Sequence, residues 1–479
     1  MKKTIKRLVS LTLAAILSVS VLSACAPAPT LMEFLEPETT ALNLNGWECI
    51  LGMYAHSDNT GLIVDLENPF GYKGNTDLAD AVLSRIKNVE STLNCDIVLT
   101  PIKTEETLLM TQFLAGNIGY HILYSSSHAL TKKAARAGFL EKVNNYGHVI
   151  DFTNTEKYGS AAIQELNAVN GDIYAVAPLT WIYKQPRAVE LLIFNDDLMW
   201  QYATPNPAEY IENGNWNWDA FENIIANSSY HSEDKDIYSI AARGLDIAKL
   251  LAYGNGVRFA YKTENGYEYD YGSENMMEAV NFYYKLKKEY PNNFAFKEGD
   301  WVDVLENFAT IQNSVSCLTT AQMLYDEISF EVKNYSVYPF PTGPKGEYGS
   351  WPSAVEGTET FSVFDAPEAC FEIVDKICEP LDGYETEESR FDYMTTQVFY
   401  DINDAKYALN TYKNGMYTYW AFEDSAGNGF DKLWRGFEDG AELKPKSATV
   451  VLDELKDIYA GLIEEFVVPN LPIYDLIPE

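Results

Sequence analysis

Trp47-Glu48-Cys49-Ile50-Leu51-Gly52-Met53-Tyr54 is a short, largely apolar run that suits a buried strand. Behind it, Leu78, Val82, Ile86, Val89 and Leu93 recur at steps of four, four, three and four, which sets them on one face of a helix. Asn75 or Thr76 stands where the cap of that helix belongs. Cys95-Asp96-Ile97-Val98-Leu99 reads as the next strand, closed by Pro101. Strand, amphipathic helix and strand in succession make a βαβ unit, and hence a parallel sheet.

The alternation continues outward. The pattern predicts helices around residues 105–114 and 129–137, and strands at 121–124, 174–178 and 189–194. Asn217 is an N-cap ahead of Trp218-Asp219-Ala220-Phe221-Glu222. Residues 274–288 read as a helix that turns Met277, Val280, Tyr284 and Leu286 toward a core. Residues 335–341 are extended, because Pro339 and Pro341 forbid a helix there. Residues 368–377 and 451–466 read as further amphipathic helices.

At the start of the chain Lys2, Lys3, Lys6 and Arg7 precede an apolar run from Leu8 to Leu22, followed by Ser23-Ala24-Cys25. That is the order of a secretory signal, and a cysteine just after the small residues reads as a lipobox. Residues 1–24 would be a lipoprotein signal peptide and Cys25 the lipidated residue, carrying diacylglycerol and a palmitate-like chain. Residues 25–45, opening Ala26-Pro27-Ala28-Pro29, would be an extended linker. A plain signal peptide with an incidental cysteine is the alternative. No other apolar run approaches the roughly 20 residues of a membrane span. The expected location is therefore extracytoplasmic, held to the cell membrane by the lipid anchor alone.

The chain has 70 acidic against 35 basic residues, a formal net charge of −35. Such a surface repels phosphate backbones, so nucleic acid is excluded as a partner. Hydrophobic residues at 47% exclude a disordered acidic chain. Besides Cys25 there are Cys49, Cys95, Cys317, Cys370 and Cys378, an odd number that is no disulfide framework. Cys49 and Cys95 read as buried free thiols. No C-x-x-C pair supports a zinc or redox site.

Several segments, in order, resemble the extracellular solute-binding proteins of ABC importers, above all the carbohydrate-binding group that includes maltose-binding protein. Phe113-Leu114-Ala115-Gly116-Asn117 before His121-Ile122-Leu123-Tyr124 resembles that group's Ala-Gly-Asp and third strand. Ala137-Gly138-Phe139-Leu140, Asn170-Gly171-Asp172-Ile173-Tyr174 and Leu192-Ile193-Phe194-Asn195-Asp196-Asp197-Leu198 match further motifs. So do Trp218-Asp219-Ala220-Phe221 and Tyr338-Pro339-Phe340-Pro341-Thr342-Gly343-Pro344-Lys345-Gly346. Tyr120-His121 replaces the usual aspartate before the third strand, and Ala220 the glutamate of a capping box.

The resemblance implies an α/β protein with a two-lobed periplasmic-binding-protein-like fold, a hinge, and ligand in the interlobe cleft. Residues 46–182 plus 340–385 would form the N-terminal lobe, and 190–335 plus 391–479 the C-terminal lobe. Crossings are expected near 181–190, 335–339 and 384–391. A monomer without cofactor would capture a small solute, most simply an oligosaccharide, and deliver it to ABC importer membrane subunits.

A sugar needs aromatic plates and fixed polar groups beyond the carboxyl ends of parallel strands. Tyr54, His56, Tyr124, Ser126, Trp181, Tyr325, Trp351 and Trp420 meet one or both conditions. Each has a plainer reading as a core or surface residue. Arg243 and Asp246 read as an exposed ion pair. There is no G-x-S-x-G, no H-E-x-x-H and no metal-ligand spacing among five histidines, so no catalytic residue is assigned. An adhesin or scaffold without a small ligand, and a secreted glycoside hydrolase, are the competing readings.

Overall fold

The computed structural model describes residues 42–414, apart from 55–65, 126, 160–163, 165–166, 170, 183, 185–188, 259–260, 264–265, 269, 271, 296–300, 325–327, 354–358 and 400, and a few helical positions between 449 and 461. The chain opens with β1 (Trp47–Tyr54), α1 (Asp77–Leu93), β2 (Cys95–Ile102), α2 (Glu106–Leu114), β3 (Ile122–Ser125), α3 (His128–Arg136) and β4 (Ala175–Val176). Next come β5 (Glu190–Asn195), α4 (Asp196–Gln201), α5 (Trp218–Asn227), β6 (Asp236–Ala241), α6 (Gly244–Gly254) and α7 (Glu274–Glu289). Then follow β7 (Phe294–Ala295), β8 (Ser314–Thr320), β9 (Tyr335–Tyr338), β10 (Thr360–Val363), α8 (Pro367–Ile377), α9 (Glu387–Gln397) and α10 (Ile402–Asn414).

The βαβ unit forms as its periodicity dictates. Ala79 N donates to Thr76 Oγ1 at 3.3 Å, which starts α1, and Asn94 in the left-handed region ends it. Leu78, Val82, Ile86, Val89 and Leu93 are all buried. β1 and β2 then pair in parallel, from Trp47 opposite Cys95 to Tyr54 opposite Ile102. On β1, Cys49, Leu51 and Met53 join the core under α1, while Tyr54 faces the cluster around Leu109 and Phe113 of α2. Both faces are covered, which is why these strands read as continuous apolar runs.

There are two such sheets. The first has the order β2-β1-β3-β10-β4 and the second β7-β6-β8-β5-β9, with the short Tyr230–His231 strand added to β6. The first carries one reversed strand, β10, and the second carries β5 reversed in its middle and the short Tyr230–His231 strand reversed at β6. The two sheets define the two lobes. Strand and helix ends fall within one or two residues of the expected ones across most of this region. Cys49, Cys317, Cys370 and Cys378 are buried free thiols, whereas Cys95 is half-buried.

Two expectations are corrected. In α7 the fully buried positions are Met276, Ala279, Val280, Tyr283 and Leu286, and Met277 and Tyr284 pack against that core only partly buried. Ser273, whose Oγ accepts from Met276 N at 3.1 Å, sets that phase, and the adjacent Tyr283-Tyr284 pair makes it ambiguous in sequence. The second correction concerns residues 340–353, expected in the first lobe. Phe340 and Trp351 pack in the core of the second, with Trp216, Phe221 and Leu192. Trp216 Nε1 donates to Pro339 O at 2.8 Å, and Gly343 N to Gly254 O at 2.8 Å. The helix expected at 451–466 lies largely outside the described residues.

Gly346 permits that docking, because a Cβ there would stand 1.9 Å from Gly254 O. Gly346→Ala should therefore cost about 1–3 kcal/mol or more in urea unfolding. A second prediction comes from α10, which packs on β9. Burial, reinforced by the charges of Asp401 and Asp196 against one hydrogen bond from Val337, pushes Asp404 from 3.8 up to about 8. A folded-state value above the unfolded one gives stability that is present below pH 3.8 and lost as pH rises through 8. In Asp404→Asn that part of the pH dependence should vanish from melts run between pH 4 and 8.

Candidate functional site

The path of the chain between the sheets locates the site. β4 ends at Val176, opposite Phe361, and β3 ends with Tyr124 and Ser125, opposite Phe361 and Thr360. The chain leaves the first lobe at that edge. It enters the second at Glu190, which pairs with Thr320, the last residue of β8. The return runs from Ser353, whose Oγ accepts from Glu190 N at 3.0 Å, to Thr360. These two crossings thus join the carboxyl edges of the parallel strands, where loops of α/β sheets gather ligand groups; a third passage leads from α8, packed on the first lobe, to α10 on β9 of the second.

On the first lobe the expected aromatics are core rings. Trp181 is 1% exposed. Phe70, Phe361 and Tyr72 pack around it at 5.4, 6.1 and 6.4 Å between ring centroids, and its Nε1 donates to Ile377 O at 3.0 Å. Tyr124 is buried between Phe70 at 5.0 Å and Phe361 at 4.9 Å. Its hydroxyl donates to Phe70 O at 3.0 Å and accepts from Lys184 Nζ at 2.9 Å. Tyr54 is buried in the cluster over α2. A stacking plate needs an open face, so these rings shape the edge from within. Trp351, 4% exposed, lies in the other lobe's core, edge-on to Tyr348 at 5.2 Å. The structure therefore brings Tyr54, Tyr124 and Trp181 together in one lobe and Trp351 into the other. His56, Ser126, Tyr325, Trp420 and Cys25 lie outside the described residues.

The second lobe's edge holds the Arg243–Asp246 pair that the sequence pointed to, joined by Lys249, which it did not. Arg243 follows β6 and α6 begins at Gly244. Arg243 Nε and Nη2 donate to the two oxygens of Asp246 at 2.7 and 2.9 Å, and Lys249 Nζ stands 3.2 Å from Asp246 Oδ1. Asp246 and Lys249 are fully buried and Arg243 is partly exposed, which corrects the exposed pair expected there. Burial alone would raise the Asp246 carboxyl, but Arg243 and Lys249 outweigh it and hold it below the usual range. Glu190, the first residue of β5, is also buried. The sequence signal was charge at every third position, 243, 246 and 249, at the head of an otherwise apolar helix.

The group gives the edge two cations on one carboxylate in a strongly acidic protein. A fixed guanidinium can bind the oxygens of a polar solute. Among the described residues no cluster of His, Cys, Asp or Glu could hold a metal ion, and no helix is long and apolar enough to cross a membrane. A separate open depression of about 340 Å³ is lined by Asp196, Asp197, Lys333, Asn334, Tyr335, Phe399 and Asp401. It sits at the end of β5 opposite Glu190 and Ser353, beside the passage from α8 to α10, where the Tyr335 hydroxyl donates to Val398 O.

No protein-family model and no curated protein sequence matches the chain. Solved structures do. The GacH receptor of Streptomyces glaucescens, solved unliganded and with acarbose, matches with a TM-score of 0.59 at 13% identity, over 87% of this chain and 99% of that one. The cyclic α-maltosyl-1,6-maltose binding protein of Arthrobacter globiformis gives 0.62 at 12% identity, over 88% and 100%. UgpB of Mycobacterium tuberculosis, in complex with glycerophosphocholine, gives 0.55 at 14% identity, over 87% and 98%. The chain shares the two-lobed α/β fold of these binding proteins.

If Trp181 is a core ring, Trp181→Phe should lower unfolding free energy by about 1–3 kcal/mol, because it leaves the buried Ile377 carbonyl unpaired. A ring that served only as an open plate would leave stability unchanged.

Proposed function

We propose that this chain is a substrate-binding lipoprotein that captures a small solute, most simply an oligosaccharide, between its lobes and delivers it to an ABC importer. The observation that carries the reading is the chain path: two crossings join the carboxyl edges of two α/β sheets, and Arg243 is fixed at the second of those edges. The fold shared with an acarbose receptor and a cyclic-maltose binder supports a sugar as cargo. Ligand held between lobes is a natural trigger for hinge closure. The protein does no chemistry in this reading and needs no cofactor.

Cys25 would carry the lipid, with residues 25–45 as its leash, and Cys25→Ala should release the protein from membranes. Lobe assignments follow the sheets, so residues 340–353 go with the second lobe and 360–385 with the first. Arg243 is the described side chain we assign to the solute. It also favours a second cargo class, a solute with a phosphate or carboxylate, of the kind that UgpB holds as glycerophosphocholine.

A melting-point screen of the purified protein against oligosaccharides, polyols and glycerophosphodiesters tests this. A solute at a hundred times its dissociation constant adds about 2.7 kcal/mol to stability, and Arg243→Ala should weaken that effect. A cooperatively melting protein that no member of these classes stabilises would refute the reading.

A further inference from the structure

We infer that Lys184 and Glu359 are the two halves of a clasp that pins the two crossings at the carboxyl edges to the first lobe and so limits how far the lobes wander apart. The inference rests on the chain path and the clasp geometry, not on the identity of a solute.

Lys184 belongs to the outgoing crossing and Glu359 to the returning one. Lys184 Nζ donates to Phe70 O at 2.8 Å, to the Tyr124 hydroxyl at 2.9 Å and to Glu359 Oε1 at 3.1 Å. An ammonium has three donors, and here three oxygens from three segments receive them. The same cation lies 5.0 Å from the Tyr72 ring centroid and 5.7 Å from that of Tyr124, within range of cation–π attraction. Its side chain is 2% exposed and that of Glu359 14%. The first lobe thus builds a cage for an ammonium ion, and the crossing fills it.

Backbone strain marks the same spot. Phe70 adopts φ 55, ψ 27, a left-handed conformation that is costly for an aromatic residue. Its carbonyl is the one that receives both Lys184 Nζ and the Tyr124 hydroxyl. Strain kept at a carbonyl with two donors indicates that the carbonyl's direction matters. Neighbouring ties extend the grip: Tyr72 OH donates to Ile182 O at 2.7 Å, and Thr180 Oγ1 to Cys378 O at 2.6 Å. On the far side, Glu190 N and Ser353 Oγ tie the same two crossings at the second lobe. Each of these two crossings is therefore held at both ends.

The test is made on the full chain without solute. Spin labels on non-thiol side chains replace the exposed residues Leu108 in the first lobe and Ile311 in the second, and the distance distribution between them is measured. Glu359→Gln keeps the shape and removes the charge, and Lys184→Met removes the cation. Both should retain the parent's circular dichroism while the distribution broadens. A width equal to the parent's in a folded Glu359→Gln protein would overturn the clasp, and this arm decides if the lysine variants do not fold. In folded Lys184→Ala, propylammonium should narrow the distribution again, whereas tetramethylammonium, which has no N–H, should not. Restoration by neither ion, or by both alike, would overturn the hydrogen-bonded cage.

Discussion

The arrangement of this molecule depends on one buried cation. Taking the Lys184 ammonium out of water costs several kcal/mol unless its charge and all its donors are met. They are met only where Phe70, Tyr124 and Glu359 converge. Those residues come from the loop before α1, the end of β3 and the approach to β10. The requirement therefore aligns the end of the parallel strands of the first sheet with the crossings at Lys184 and Glu359. Removing either partner of such a pair leaves an uncompensated charge, worth about 3–5 kcal/mol.

The same logic recurs wherever segments meet. Lys157 Nζ lies between Asp375 at 2.9 Å and Glu379 at 2.8 Å, which ties α8 to the chain before the first crossing. Lys249 and Arg243 share Asp246 at the second lobe's edge. A chain with twice as many acids as bases covers its exterior with carboxylates at little cost. Lys157, Lys184 and Lys249 then act as fixed points, each beside an acid of its own fold. Arg243, held by both Asp246 oxygens and partly exposed, is the fixed point at the carboxyl edge of the second sheet.

Much of this was legible in the sequence, and the reason is periodicity. The apolar steps of α1 and the caps at Thr76 and Asn217 are local signals, and the structure follows them closely. The reversed strands β10 and β5, and the docking of Gly346 against Gly254, depend on partners far along the chain and left no local trace. Local reading also assumes that charge means water, so Arg243 and Asp246 looked exposed although Lys249 and the apolar helix around them bury the pair. Trp181 and Trp351 were recognised as important aromatics, but whether a ring is a plate or a brick depends on neighbours such as Phe361 and Trp216. The Lys184–Glu359 pair, 175 residues apart, carries no signature that a linear reading could find.

The account's central claim is that solute is held between the two carboxyl edges. Hydrogen exchange of the whole chain, with and without the solute that stabilises it most, tests this directly. The account predicts that protection rises together around Tyr124–Ser125 of the first lobe and Ala242–Asp246 of the second. Protection confined to a single lobe, or to the depression between Asp196 and Asp401, would contradict it.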